Sequence, residues 1–246
     1  MTDEIIQARH LNKKFGDKVV LKNINLTIPK NKVTVVLGPS GSGKSTLIRT
    51  FNGLESFDSG DLEIFGQKID PHDKKAFAVI KHEIGMVFQS YDLFPNRTVM
   101  QNITLGPLKV QKRNEKEVLG QARQLLAEVG LEKFENYYPR QLSGGQKQRV
   151  AIVRALILNP KLMLFDEVTA SLDPEMVRGV LEILKQLAEQ DLTMVVVTHE
   201  MNFAKQVADK VIFLDSGEIV EEQNGQKFFQ EPQTKRARDF LDSMSF

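Results

Sequence analysis

The sequence predicts a mixed α/β fold interrupted by a largely helical insertion, and three observations carry that prediction. An apolar segment, Val33-Thr34-Val35-Val36-Leu37, runs into the glycine-rich Gly38-Pro39-Ser40-Gly41-Ser42-Gly43-Lys44-Ser45-Thr46 and then into Leu47-Ile48-Arg49, the order strand, loop, helix. Two further runs, 162–165 and 194–197, are wholly apolar, as expected of parallel strands covered on both faces. Over 98–158 the pattern changes: Val99, Ile103 and Leu108, then Val118, Ala122, Leu125, Leu126 and Val129, recur at roughly helical spacing.

Each element has a local reason. Residues 5–15 and 19–28 read as strands separated by the turn dipeptide Gly16-Asp17. The strand over 33–37 and a helix opening near Lys44 follow, then strands over 61–65 and 84–88. Ser143 is a good N-cap for a helix whose apolar residues continue until Pro160 stops it. Residues 211–214 and 218–221, with Ser216-Gly217 between them, form a closing hairpin. The final helix, 234–244, places Ala237, Phe240 and Leu241 on one side.

Composition narrows the classes of function. The chain has 246 residues, 41% hydrophobic, enough for a proper core. Thirty-three Lys and Arg against 32 Asp and Glu leave no basic field of the kind nucleic acid requires. No apolar run approaches the ~20 residues of a membrane-spanning helix, and the acidic start Met1-Thr2-Asp3-Glu4 precedes no signal-like stretch. The absence of cysteine excludes disulfides and thiolate metal sites. A cytoplasmic protein, able to sit on a membrane through partners, is expected.

The chemistry centres on the glycine loop. Its glycines permit a tight turn with backbone N–H groups directed inward at phosphate oxygens. The helix start adds unpaired N–H groups and the positive end of its dipole. Nucleotide contacts are therefore expected from Ser40, Gly41, Ser42, Gly43, Lys44, Ser45 and Thr46. Lys44 reaches the terminal phosphates, and the Ser45 hydroxyl can ligate Mg²⁺. A second element, Leu162-Met163-Leu164-Phe165-Asp166-Glu167, is an apolar strand ending in two carboxylates. Asp166 is placed to hold the Mg²⁺ shell, and Glu167 to accept a proton from the water that attacks the γ-phosphate, or to orient it. A third, Leu142-Ser143-Gly144-Gly145-Gln146, is another helix start receptive to an anion, with paired glycines that allow close backbone approach.

With these three motifs in place, the chain resembles, over essentially its whole length, the ATP-binding cassette family of transporter ATPases. That resemblance implies a RecA-like phosphate-loop NTPase core with a mixed sheet, an N-terminal antiparallel β subdomain and an inserted helical subdomain. The whole of 1–246 would be one nucleotide-binding domain, with 1–88 and 159–246 forming the β subdomain and core and 89–158 the helical part. It implies ATP and Mg²⁺ as ligands and a head-to-tail homodimer in the ATP-bound state. Ser143, Gly144, Gly145, Gln146 and Asp173 would then act in trans on nucleotide held by the partner. Gln89 matches the glutamine expected near Mg²⁺ and the attacking water, and His199 the histidine expected to contact the γ-phosphate. Phe15 takes the position that stacks on adenine, with Val20 beside it. Catalysis would fall to Glu167, His199, Gln89 and Lys44.

The same resemblance implies a partner. Integral membrane permease subunits are expected to dock near Gln89-Ser90-Tyr91-Asp92-Leu93-Phe94-Pro95, with an extracytoplasmic solute-binding protein acting indirectly. The chain would then lie at the cytoplasmic face of the membrane. The phrases Phe88-Gln89-Ser90-Tyr91-Asp92-Leu93-Phe94-Pro95, Asn102-Ile103-Thr104-Leu105-Gly106-Pro107 and Thr198-His199-Glu200-Met201-Asn202-Phe203-Ala204 resemble importers of polar amino acids. The alternatives are the same ATPase in another membrane system, for lipoprotein release or metal uptake, a soluble cassette protein, and a phosphotransferase that uses the same loop to phosphorylate a small molecule. Three departures from the family pattern stand out. Phe15 replaces a common Tyr, Val168 a frequent Pro, and Ala170-Ser171 the usual Ser-Ala order, which puts in doubt a hydroxyl contact from this loop to the other subunit.

Overall fold

The computed structural model describes residues 4–71, 77–78 and 80–244. The acidic start at 1–3 and the last two residues of the expected domain, 245–246, lie outside them. Two sheets organise the chain. The N-terminal sheet is four-stranded and antiparallel, in the order β2-β1-β4-β5, from β1 (Glu4–Phe15), β2 (Lys18–Pro29), β4 (Ser59–Ile64) and β5 (Gln67–Ile69). The central sheet is six-stranded in the order β10-β9-β3-β8-β7-β6. Its members are β3 (Val33–Leu37), β6 (Ile84–Phe88), β7 (Leu162–Asp166), β8 (Thr193–Val197), β9 (Lys210–Asp215) and β10 (Glu218–Asn224). β9, β3, β8, β7 and β6 run parallel; β10 returns antiparallel along β9.

The uniformly apolar strands follow from burial on both faces. Val35, Met163, Val196 and Phe213 point into one core cluster, and Val36, Leu164, Val197 and Ile212 into the other. The first cluster joins the sheet to the helical region; the second joins it to the N-terminal sheet, with Leu47, Ile48 and Phe51 of α1 (Lys44–Phe51) between. Side chains alternate along a strand, so an amphipathic sequence would leave one cluster without half its members.

The helical run resolves into α2 (Val99–Lys109), α3 (Glu115–Glu128) and α4 (Gly144–Leu156). Thr98 and Asn114 cap the first two through their side chains. α4 ends at Leu156, short of Pro160, because Asn159 has turned to φ 54°. Among the described residues, β5, α5 (Pro174–Ala188), α6 (Met201–Val207) and α7 (Gly225–Gln230) had no sequence expectation. The β4 strand also begins and ends earlier than 61–65, since Phe65 lies at φ 52° and turns the chain with Gly66. The closing hairpin forms as expected, Ser216 and Gly217 both taking positive φ (50° and 82°), the geometry that matches strand twist in a two-residue turn.

The last helix, α8 (Lys235–Met244), is tied to β10 by one buried carboxylate. Glu221 accepts from the Gln233 and Thr234 backbone N–H groups at 2.9 Å each, from the Thr234 hydroxyl at 2.8 Å and from the Gln223 amide at 3.0 Å. Burial pushes its pKa up, but these donors outweigh burial and hold it below the usual value. Glu221→Gln is expected to cost about 1–3 kcal/mol near neutral pH, the scale of hydrogen bonds to a charged group. A depressed native pKa stabilises above the unfolded value of ~4.3, and that contribution disappears as pH falls through the native value. Urea denaturation of both proteins at stepped pH should show the gap closing in acid.

Candidate functional site

The register of the central sheet sets the site. Ile212, Val36, Val197, Asp166 and Phe88 are paired in one row across five parallel strands. The next residues, Thr198, Glu167 and Gln89, therefore emerge together at the carboxyl edge, and Gly38 begins its loop at the same edge. Ligands of open parallel sheets bind outside this edge, where the loops splay apart.

The loop itself is shaped by backbone that only glycine tolerates. Gly38, Gly41 and Gly43 have φ of 149°, 78° and 106°. A Cβ on Gly38 would collide with the Leu214 carbonyl oxygen, and one on Gly43 would lie 2.8 Å from that of Val20. The hairpin turn buttresses the loop, Gly217 N donating to the Ser42 carbonyl at 3.1 Å. Gly43 precedes α1 without a side-chain cap, which leaves the first-turn N–H groups without a side-chain acceptor, the arrangement that suits an anion.

Charge is concentrated where the two elements meet. The Lys44 ammonium donates to the carbonyls of Gly38 (2.9 Å) and Pro39 (3.0 Å) and lies 3.7 Å from Glu167. Burial lowers its pKa, and Glu167 opposes that shift. The Ser45 hydroxyl donates to Asp166 Oδ1 at 2.7 Å, and Arg49 Nη2 to Oδ2 at 3.1 Å. Glu167 stands at φ 49°, a strained setting for a residue with a side chain, and its N–H bonds the Val197 carbonyl at 3.0 Å. His199 Nε2 lies 3.1 Å from Glu167 Oε1; an ionised carboxylate only accepts, so Nε2 carries the proton. That hydrogen bond, against the opposing effect of burial, and then the charges of His199 and Lys44 hold the Glu167 carboxyl below its usual range.

The structure thus brings Lys44, Ser45, Asp166, Glu167 and His199 into one connected set. Gln89 follows the strand beside Asp166, but its side chain is exposed and its carbonyl accepts from Ser171. Phe15 is 46% exposed, with the Lys13 ammonium 4.7 Å from its ring centroid; Val20 is half-buried. Asp173 precedes α5, exposed and without a capping bond. Ser143 and Gln146 cap α4 reciprocally, Ser143 N–H to Gln146 Oε1 at 2.9 Å and Gln146 N–H to Ser143 Oγ at 3.3 Å. The adjoining glycines also have an internal reason: a Cβ on Gly145 would lie 2.9 Å from that of Met176 on α5.

Arg49 escaped the sequence reading. Its spacing of four from Ser45 places both on one face of α1, a signal that could have found it. Ser171 and Arg154, which hold the segment after Gln89, gave no comparable local sign.

A parallel sheet with a phosphate loop at one strand end and an Asp-Glu pair nearby defines a phosphate-loop nucleoside triphosphatase. The ABC transporter family model matches residues 21–170. The glutamate transport ATP-binding protein GluA of Corynebacterium efficiens is 52% identical, over 96% of this chain and 98% of its own length. The arginine transport ATP-binding protein ArtM of Bacillus subtilis is 50% identical, over 98% and 100%. A dimeric ATP-binding cassette solved with ADP and phosphate in a post-hydrolysis state superposes with a TM-score of 0.79 at 36% identity, over 89% of this chain and 98% of that one. The chain belongs to the ABC transporter family and is an ATPase of that family.

His199→Ala removes the leading cause of the Glu167 shift. The carboxyl is expected to move up toward the ~4.3 of an unperturbed glutamate, measurable by carbon NMR titration of the labelled side chain.

Proposed function

We propose that this chain is the ATP-hydrolysing subunit of an importer of polar amino acids, working as a dimer beneath membrane permease subunits. The observation that carries the reading is the connected set around Glu167: an ionised carboxylate held between Lys44 and His199, one residue beyond Asp166. A base of this kind activates water only if it stays deprotonated, and the His199 hydrogen bond and the Lys44 ammonium favour that form. Lys44 supplies positive charge, and the His199 Nε2–H a donor, where the transferred phosphoryl gains charge. Gln89, at the end of the adjacent strand, is the residue we assign to orienting that water. Phe15 offers an exposed ring for adenine, with Val20 beside it, and 40–46 is the phosphate-binding segment.

Mg²⁺ fits the donor set. Ser45 and Asp166 are hard oxygen donors 2.7 Å apart, the kind of partial protein shell that this ion completes with phosphate oxygens and water. Gln89 is a further oxygen donor at the same edge. When bound, the ion would offset phosphate charge and orient the β- and γ-oxygens. Arg49 keeps the Asp166 carboxylate in place on its other oxygen.

Closure follows from linkage. Ser143, Gly144, Gly145, Gln146 and Asp173 are assigned to the partner's nucleotide, so each subunit carries two half-sites. ATP that touches both subunits binds the closed pair better than the open one, and loss of its γ-phosphate loosens the pair. The dimeric cassette with ADP and phosphate supports this arrangement. We treat 1–246 as one nucleotide-binding domain, with 1–88 and 159–246 as β subdomain and core and 89–158 as the helical subdomain that carries the 142–146 motif.

Permease docking is assigned to the groove beside 89–95. About 600 Å³ in volume, it is lined by Met86, Asp92, Phe94, Leu105, Arg154 and Leu158 among others, and Phe94 is 44% exposed. A helix of the partner would bury its apolar face there. Among the described residues no helix is long and apolar enough to cross a membrane, so a peripheral position at the cytoplasmic face would come from that partner. The solute class rests on the relatives. GluA and ArtM are named for amino acids of opposite side-chain charge, yet match this chain at 52% and 50%. The solute and its binding protein are therefore assigned to act through the permease, and the balanced charge of 33 Lys and Arg against 32 Asp and Glu favours no nucleic-acid partner.

Glu167→Gln is expected to slow ATP turnover about 10²–10⁴-fold, the scale of a lost general base, and to accumulate ATP-closed dimers visible by light scattering. Near-normal turnover would remove Glu167 from this role. Lys44→Ala should weaken ATP binding itself, and unchanged affinity in equilibrium titration would count against the phosphate-loop assignment. For the solute class, the decisive experiment purifies the chain with its permease and measures which amino acids, delivered by a binding protein, stimulate ATPase. Stimulation by a metal or lipoprotein instead would overturn it.

A further inference from the structure

Three segments far apart in sequence meet at the Ser171 hydroxyl or the ring beside it. Ser171 Oγ lies 3.2 Å from the Gln89 carbonyl oxygen and 3.2 Å from Tyr91 Oη. Serine has one hydroxyl proton, which goes to the Gln89 carbonyl, so the Ser171 oxygen accepts from Tyr91. The result is a directed chain: Tyr91 O–H to Ser171 Oγ, Ser171 O–H to the Gln89 carbonyl. Bonds in such a chain polarise one another. Tyr91 Oη also lies 3.1 Å from where a Cβ on Gly144 would stand; a larger residue there would press on the ring.

The segment carrying Gln89 needs external support. Tyr91 and Asp92 are consecutive left-handed residues, φ 61° and 49°, which is costly for residues with side chains. Such backbone persists only where its surroundings over-determine it. Arg154 of α4 donates to the Tyr91 carbonyl at 3.2 Å and the Asp92 carbonyl at 2.7 Å. Gln148 of the same helix donates to the Phe88 carbonyl at 3.2 Å. Asn102 of α2 bonds the Phe94 N–H and carbonyl further along, and Ser171 supplies the hold at Gln89 itself.

We propose that Ser171 and Tyr91 are positioning residues for Gln89, which tie the glutamine to the loop over 170–173 within the same subunit. The inference rests on the assignment of Gln89 to the attacking water. It explains the Ala170-Ser171 order. In the more usual Ser-Ala order a methyl would stand at 171 and could not donate to Gln89. The hydroxyl whose inter-subunit contact was in doubt thus has a partner in its own chain. Movement of this loop moves the Gln89 backbone with it.

The test compares wild type, Ser171→Ala, Ser171→Thr, Tyr91→Phe and the Ser171→Ala/Tyr91→Phe double variant in the full chain, with Gln89→Ala as control. Steady-state ATP turnover is measured alongside ATP affinity by equilibrium titration and the thermal midpoint. Ser171→Ala and Tyr91→Phe should lower kcat by about three- to tenfold, the factor set by one neutral hydrogen bond. Affinity should stay within about twofold and the midpoint should hold, because neither residue supplies a phosphate contact. Ser171→Thr, which keeps the donor, should retain kcat, and the double variant should fall no further than Ser171→Ala, because the bonds act in series. Full turnover in Ser171→Ala beside an impaired Gln89→Ala overturns the positioning role. So do losses of affinity and midpoint that parallel kcat, or a Ser171→Thr that falls as far as alanine. Full turnover in Gln89→Ala would instead overturn the assignment of Gln89 on which the proposal stands.

Discussion

The site exists because five parallel strands finish in register. One paired row runs from Ile212 through Val36, Val197 and Asp166 to Phe88, so whatever follows each residue appears at the same edge. The row is held by backbone hydrogen bonds and by two apolar clusters that bury both faces of the sheet. A shift of one residue in β7 would exchange the clusters' side chains and move Asp166 out of reach of Ser45. Packing and chemistry are thus fixed by one register, and the apolar strands secure the position of polar groups they never touch.

At that edge the electrostatics are closely balanced. Lys44, Glu167 and His199 are partly or wholly withdrawn from water, where an unpaired charge is expensive and a paired one is only roughly compensated. Each group therefore holds its neighbour: Glu167 opposes the desolvation of Lys44, and His199 keeps Glu167 ionised. Asp166 is occupied on both oxygens, by Ser45 and by Arg49. The left-handed backbone at Glu167 is tolerated because its N–H and carbonyl are both bonded, to Val197 and Ala170. Strain, burial and paired charge coincide at the residue assigned to the chemistry, as is common where a site is pre-organised.

The helical region turns one helix to several uses. α4 opens with the capped Ser143–Gln146 turn, packs Gly145 against Met176 of α5, and reaches back through Gln148 and Arg154 to the backbone on either side of Gln89. Arg154 also borders the groove assigned to the permease.

Sequence alone determined what is local. The glycine loop, the apolar strands, the N-cap at Ser143 and the carboxylates at 166–167 were legible because φ preferences, period and capping act over a few residues. Even so, α5 had no expectation, although Val180, Leu184 and Leu187 are buried at helical spacing, and β4 begins two residues before the expected strand and ends one residue short of it, where Phe65 turns the chain. Only the tertiary structure decided that Arg49 takes the second oxygen of Asp166, that Glu221 holds α8, and that Ser171 meets Gln89 rather than standing free. Those contacts join residues 12 to 117 positions apart. Their geometry is set by strand order and helix packing, which no short pattern encodes.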